Sequence, residues 1–362
     1  MASGLQTEFR PTTLTPPGAT LEDLLDEWGM SQAQLAERMG RPAKTINEII
    51  KGKNAITTET ALQLERVFGT PAGFWLEREQ KYRTHLAMTA EASRLKREQG
   101  WLKKVPLKEL IKRGFIPDNL SELNTLKAVW TFFGVTGPDP WNAVYEGVAY
   151  RRSIKTDPVL IASWLRMGEL LARQARCVPY DPKVFRDALR EIREWTLEPP
   201  QGFVDRMIDR CAQCGVALVF VKELPGLGIS GVTRWLNPSK ALIQICLRYK
   251  TSDQLWFTFF HEAAHILKHG KKLVFLEIDG LDGEAEDEAN AFASEILIPR
   301  PAYSEFVSHT SRFSRQAVLD FARTQGIHPG IVVGRLQHDQ YLEYSHLNDL
   351  KTKLEWASAK EG

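Results

Sequence analysis

A mainly α, α+β chain is what the sequence predicts: an all-α N-terminal domain, a helical middle region and a C-terminal domain with a small β-sheet. Three observations carry this. Residues 20–69 show short apolar stripes at helical spacing, punctuated by Gly and Pro. Residues 84–200 hold amphipathic stretches broken by Gly114, by Gly134 to Pro140 and by Pro199-Pro200. Residues 216–248 change to strand-like runs, followed by an apolar helical run around His261-Glu262-Ala263-Ala264-His265. The expected domains are 1–83, 84–200 and 201–362.

In the first domain, Leu21, Leu24, Leu25 and Trp28 mark an amphipathic helix. Ser31 caps a second, Gln32 to Met39, whose Leu35, Ala36 and Met39 face inward. Gly40 turns the chain, Pro42 opens a third helix through Ile50, and Gly52 ends it. A helix, a tight glycine turn and a helix with Ile46, Ile49 and Ile50 facing back form the helix-turn-helix signature. Its outward residues suit DNA. Ala43, Lys44, Thr45, Asn47 and Glu48 lie near the start or on the exposed side of the third helix, where base edges are read. Gln32 and the first amides of the second helix face phosphate, with Lys51 and Lys53 as further phosphate contacts. Ala43 and Glu48 are weak base readers, so no operator follows; Glu48 either accepts from a cytosine or repels phosphate. A homodimer is expected, since two half-sites are needed for affinity. A helical domain used only for protein contacts is the competing reading.

Further matching residues are Pro17-Gly18, Ser31-Gln32-Ala33-Gln34-Leu35-Ala36, Ile49-Ile50-Lys51-Gly52-Lys53, Ala55-Ile56-Thr57, Ala61, Leu64 and Phe74-Trp75-Leu76. With them the region resembles the Cro/repressor-like (XRE) helix-turn-helix family, specifically its HigA-type antitoxin branch. The resemblance implies a double-stranded operator and, for the antitoxin branch, a toxin partner.

The middle region reads as helical over Leu107 to Lys112, Leu120 to Phe133, Asp157 to Arg176 and Pro182 to Trp195. Trp130, Trp141, Tyr145, Tyr150 and Trp164 either line a pocket or, as is commoner for such aromatics, pack a core. Arg94, Lys96, Arg97, Lys103, Lys104, Lys108, Lys112 and Arg113 make a basic segment, read as a solvated face or as contact with flanking phosphate.

In the last domain, Val216 to Val221, Ile229 to Leu236 and Ala241 to Arg248 read as strands, the last two joined by the turn Asn237-Pro238-Ser239-Lys240. Gln254 to His269 follows as a buried helix, capped by Ser252 or Asp253 and stopped at Gly270. His261 and His265, four apart, stack on one face and can hold one divalent ion, while Glu262 points toward its open position. That pattern suits metal-assisted hydrolysis of a peptide bond, with Glu262 as general base. Burying two histidines and a glutamate without partners is costly, and a metal removes that cost. The ion is expected to be zinc, with manganese the alternative.

A catalytic zinc needs a third protein ligand. The metzincin position for it is Lys271, which excludes that subclass, and His269 reads as a solvated or capping residue. A second helix, Glu284 to Ile298, stops at Pro299. On it Glu286 and Asn290 share a face: Glu286 is the expected ligand, Glu288 the fallback, and Asn290 orients a ligand histidine. Arg315 to Gln325 and Gly330 to His338 close the domain; His328 or His338 is available to an oxyanion, although a lone histidine is ordinarily structural.

On His261-Glu262-Ala263-Ala264-His265, Glu286-Asp287-Glu288-Ala289-Asn290-Ala291-Phe292-Ala293 and Ile296-Leu297-Ile298-Pro299, residues 215 to 340 resemble the ImmA/IrrE family of bacterial metallopeptidases. The resemblance implies a zincin-like fold, a protein substrate such as a repressor or antitoxin (or this chain in cis) and a place in a stress response.

Composition sets the bounds. At 362 residues and 43% hydrophobic, the chain is long enough for two or three domains. No apolar run or leader predicts a membrane span or secretion, and four cysteines agree with a reducing compartment, so a cytoplasmic protein is expected. Cys211 and Cys214 lack a second pair and read as packing residues. A net charge of +2 leaves DNA affinity to local patches. Two functions follow. One is a DNA-binding regulator with a zinc endopeptidase domain. The other is a HigA-like antitoxin or repressor whose zincin-like domain is a non-catalytic sensor or partner-binding module.

Overall fold

The computed structural model describes residues 15–146, 157–269, 275–278 and 283–356. Helices dominate, and the chain divides into two compact units, Met1–Gln99 and Gly100–Gly362.

Five helices make the first unit: α1 (Pro17–Glu27), α2 (Gln32–Met39), α3 (Ala43–Ile50), α4 (Thr58–Phe68) and α5 (Ala72–Glu98). The Ser31 hydroxyl accepts from the Gln34 amide at 3.2 Å while the Gln34 side chain accepts from the Ser31 amide at 2.9 Å, a reciprocal capping box that starts α2. Gly40 ends it in the left-handed region (φ 63°), which costs glycine nothing. Leu21, Leu35, Ile46, Leu64 and Trp75 are fully buried between the helices. Gly18 is needed because α1 crosses the end of α3 there; an added Cβ would run into the Ile49 and Ile50 backbone. Trp28, expected on the apolar stripe, is half exposed. It follows the last helical residue of α1 and meets Phe68 edge-on, with ring centroids 5.4 Å apart. Helix α5 runs unbroken through residue 83.

The second unit is built on a four-stranded sheet of order β1-β3-β2-β4, comprising β1 (Val216–Phe220), β2 (Ile229–Asn237), β3 (Lys240–Ile245) and β4 (Phe275–Ile278). β1 and β3 run parallel; β2 is antiparallel to both β3 and β4. The expected turn at 237–240 joins β2 to β3. β3 ends at Ile245, three residues before Arg248. β4 was not foreseen: four residues carry no readable periodicity, and pairing with β2 defines the strand.

Side-chain alternation on β2 presents its two faces to different helices. Gly231 and Thr233 face the helix Ser252–Lys268, while Arg234 faces the helix Pro158–Gln174. β3 does the same: the buried Gln244 donates to the Trp164 carbonyl at 2.7 Å, on the Pro158–Gln174 side. Gly168 passes so close that an added Cβ would overlap the Gln244 carboxamide oxygen.

The middle helices form where expected, at Leu107–Lys112, Glu122–Phe133, Pro158–Gln174 and Pro182–Glu194. Trp130, Trp141 and Tyr145 are buried and pack ring against ring with Trp101 and Phe133, and Trp164 donates to the Val221 carbonyl at 3.2 Å. Core packing therefore accounts for most of these aromatics; Tyr150 lies outside the described residues. Pro182–Glu194 and Pro200–Ala212 share one apolar core with the sheet and with Ser252–Lys268. Cys211 and Cys214 are buried in it, and burial pushes both thiols up, consistent with packing.

The start of Ser252–Lys268 departs from expectation. Thr251 occupies the cap position without a side-chain bond, and Ser252 and Asp253 are buried in the first turn. Asp253 pairs with Lys351 at 2.8 Å, and the Ser252 amide donates to Thr352 at 2.9 Å, so a segment a hundred residues later supplies the partners. The helix itself ends at Lys268; Gly270 and Lys271 lie outside the described residues. No described helix is long and apolar enough to cross a membrane.

Replacing Gly168 by Ala is expected to cost about 1–3 kcal/mol, because the buried Gln244 has no space to yield. Urea unfolding of the full chain would show a lower midpoint; an unchanged midpoint would mean that the two elements separate freely.

Candidate functional site

Helical spacing brings His261 and His265 onto one face of Ser252–Lys268, with ring centroids 4.8 Å apart. The helix Glu284–Leu297 packs against that face and contributes Glu286 and Asn290. Three ligand-capable atoms converge. The Nε2 atoms of His261 and His265 lie 3.0 Å apart, and Glu286 Oε2 lies 3.2 Å from the first and 3.7 Å from the second. Ligands held tetrahedrally at about 2.0–2.1 Å from zinc stand roughly 3.3 Å from one another. The triangle fits that requirement, and it is the one group of this kind among the described residues.

Electrostatics point the same way. Burial lowers the His265 pKa, outweighing the pull of Glu286, so its ring stays neutral and keeps a lone pair at Nε2. Burial would raise Glu286, yet the neighbouring His261 and His265 bring it down to about 2, so it is a carboxylate at neutral pH. Glu262 is 0% exposed, and Gly231 of β2 stands against it; a Cβ there would fall 2.7 Å from Glu262 Oε1. Thr233 donates its hydroxyl to the Glu262 carbonyl at 3.0 Å, fixing the helix to the strand.

Both imidazoles are oriented from behind. Asn290 Oδ1 lies 2.9 Å from His261 Nδ1, and accepting there leaves Nε2 facing the triangle. His265 Nδ1 lies 2.8 Å from His269 Nδ1, and His269 Nε2 lies 3.2 Å from Glu288 Oε2. His269, expected to be solvated or capping, occupies the C-cap of Ser252–Lys268, and its largely buried side chain joins His265 to a carboxylate. Glu288, the alternative ligand, sits on His269 and outside the triangle. Repetition of the four-residue spacing, His261, His265, His269, was the available signal. At the far end of Glu284–Leu297, Arg193 donates to the carbonyls of Ile296 and Leu297 at 2.6 and 3.0 Å, holding the helix that carries Glu286. His328 caps the helix Pro329–His338 and His338 is exposed beside Asp339, so neither joins the cluster.

On the helix-turn-helix, Asn47 donates its amide to Gln32 Oε1 at 3.1 Å, joining two expected DNA-facing residues across α2 and α3. Ala43, Lys44, Lys51 and Lys53 are exposed and Thr45 is half-buried. Glu48 is committed locally. It accepts from the Asn54 amide at 2.6 Å, and its carbonyl takes the Lys53 amide at 2.8 Å, which closes the end of α3. In the basic segment Arg94 pairs with Glu98 and Arg113 with Glu109, while Lys96, Arg97, Lys103, Lys104, Lys108 and Lys112 are exposed.

Comparison with known proteins follows this division. The Helix-turn-helix family matches residues 21–75, and the IrrE N-terminal-like domain matches residues 238–335. Virulence-associated protein I of Dichelobacter nodosus is 38% identical over 72 residues, 20% of this chain and 67% of that protein. The "Uncharacterized HTH-type transcriptional regulator YddM" of Escherichia coli is 32% identical over 82 residues, 22% of this chain and 87% of its own length. Among solved structures, the Pseudomonas aeruginosa antitoxin HigA with higBA promoter aligns at 31% identity with a TM-score of 0.23, over 24% of this chain and 95% of that one. The chain belongs to the helix-turn-helix family through its first unit and carries an IrrE N-terminal-like domain in its second.

Truncating His269 to Ala is expected to weaken zinc or manganese binding by about 10–100-fold, the usual loss when a ligand histidine loses its outer partner. Competition titration against a chromophoric chelator would measure it; wild-type affinity would remove His269 from the site.

Proposed function

We propose that the chain is a DNA-binding transcriptional regulator whose second unit is a zinc-dependent endopeptidase, acting on a repressor or antitoxin, or on itself, in a stress response. The observation that carries this reading is the triangle formed by His261 Nε2 and His265 Nε2, on the helix that also presents Glu262, with Glu286 Oε2 from the neighbouring helix Glu284–Leu297. His261, His265 and Glu286 would hold the ion, with Asn290 orienting His261. Zinc, or manganese in its place, would supply Lewis-acid polarisation of a carbonyl and acidification of water when held there. Glu262 takes the proton from the attacking water and returns it to the leaving amine, a transfer worth about 10²–10⁴ in rate.

The DNA-binding half rests on the helix-turn-helix family match and on the face formed by Gln32, Ala43, Lys44, Thr45 and Asn47, with Lys51 and Lys53 against phosphate. Glu48 is better explained as the residue that closes α3 than as a base reader. Binding as a homodimer to two half-sites of a double-stranded operator is part of the proposal. A second reading, a sensor that binds metal without cutting, draws on the burial of His261, Glu262, His265 and Glu286 alike.

Glu262→Gln separates the two readings. It should keep stoichiometric metal while hydrolysis of a co-purified repressor or antitoxin falls at least 100-fold. Equal cleavage by wild type and variant would sink the peptidase. Operator binding should survive chelation, because the metal cluster and the helix-turn-helix lie in different compact units. Gel shifts with and without chelator test this, and loss of the shifted band on chelation would contradict it.

A further inference from the structure

The helix Pro158–Gln174 and β2 enclose a cavity of about 370 Å³ on the face of the sheet opposite Ser252–Lys268. Among the described residues, Arg166, Arg173 and Arg234 line it together with one acid, Glu169, and an apolar wall that includes Phe133 and Leu165. All three guanidiniums converge on that carboxylate. Arg166 lies 2.7 Å and Arg173 2.7 Å from Glu169 Oε1, and Arg234 lies 3.1 Å from Oε2. One carboxylate cannot neutralise three guanidiniums, so the described lining carries an excess of two positive charges (three less one).

Arg234 makes the imbalance costly. Its side chain is 15% exposed, and burial lowers its pKa despite Glu169. Its Nε is buried with no acceptor among the described residues. Buried charge in excess of its partners is unfavourable, and a bound anion relieves it. The cavity lies within the range of about 300–1,000 Å³ usual for small-molecule sites.

We propose that this cavity binds a small amphipathic anion, a carboxylate or phosphate monoester. Its oxyanion would meet the planar donors of Arg173 and Arg234, and its apolar body would lie against Phe133 and Leu165. Neither the helix-turn-helix nor the metal cluster takes part, so this inference stands or falls apart from the peptidase reading.

Isothermal titration of the full chain with benzoate, phenyl phosphate, inorganic phosphate and benzyl alcohol tests it. Benzoate or phenyl phosphate should bind once per chain, and which binds tighter identifies the oxyanion. Arg173→Gln, at a side chain 64% exposed, should retain the fold and weaken binding tenfold or more. Arg234→Gln should do the same wherever its far-UV spectrum matches wild type. Absence of saturable binding by both aromatic anions, equal binding of inorganic phosphate or of benzyl alcohol, or undiminished affinity in Arg173→Gln would overturn the proposal.

Discussion

Two imidazoles and a carboxylate, all but excluded from water, are brought to within 3.7 Å of one another, and the second unit is arranged around that demand. A buried carboxylate beside two buried imidazoles is expensive unless each group has a partner. Here Glu286 receives both imidazoles, Asn290 backs His261, and His269 with Glu288 backs His265. Removing any member exposes the others to the cost of burial. The helix Glu284–Leu297 must therefore be held at one height against Ser252–Lys268, and Arg193 does this by tying down its last carbonyls.

The sheet makes the same site possible from the other side. Gly231 lets Glu262 approach the strand, and Thr233 binds the backbone of that residue. One residue further along β2, Arg234 turns to the opposite face and enters the guanidinium cluster around Glu169. β2 is consequently a shared wall. Its alternation keeps Glu262 and the His261, His265 and Glu286 cluster on one side and an excess of positive charge on the other.

In the first unit the corresponding constraint is close approach of backbone. Gly18 admits α1 onto the end of α3, and the capping box at Ser31 with the left-handed Gly40 sets the angle between α2 and α3. Those features leave the start of α3 outward, with Gln32 and Asn47 joined across the turn. Glu48, half-buried on α3, has its carboxylate engaged by Asn54.

The helix-turn-helix, three of the strands and the pairing of His261 with His265 were legible along the chain, because each is written in local periodicity or in turn residues close together. Glu286 and Asn290 were legible as one helical face, although nothing in spacing chose between Glu286 and Glu288. That choice belonged to tertiary structure, since only the packing of two helices decides which carboxylate meets the histidines and which meets His269. β4, the latch of Lys351 and Thr352 on the start of Ser252–Lys268, and the arginine cluster around Glu169 were equally invisible beforehand. Each joins residues far apart in sequence, and their partners are selected by burial and charge, for which no local pattern stands in.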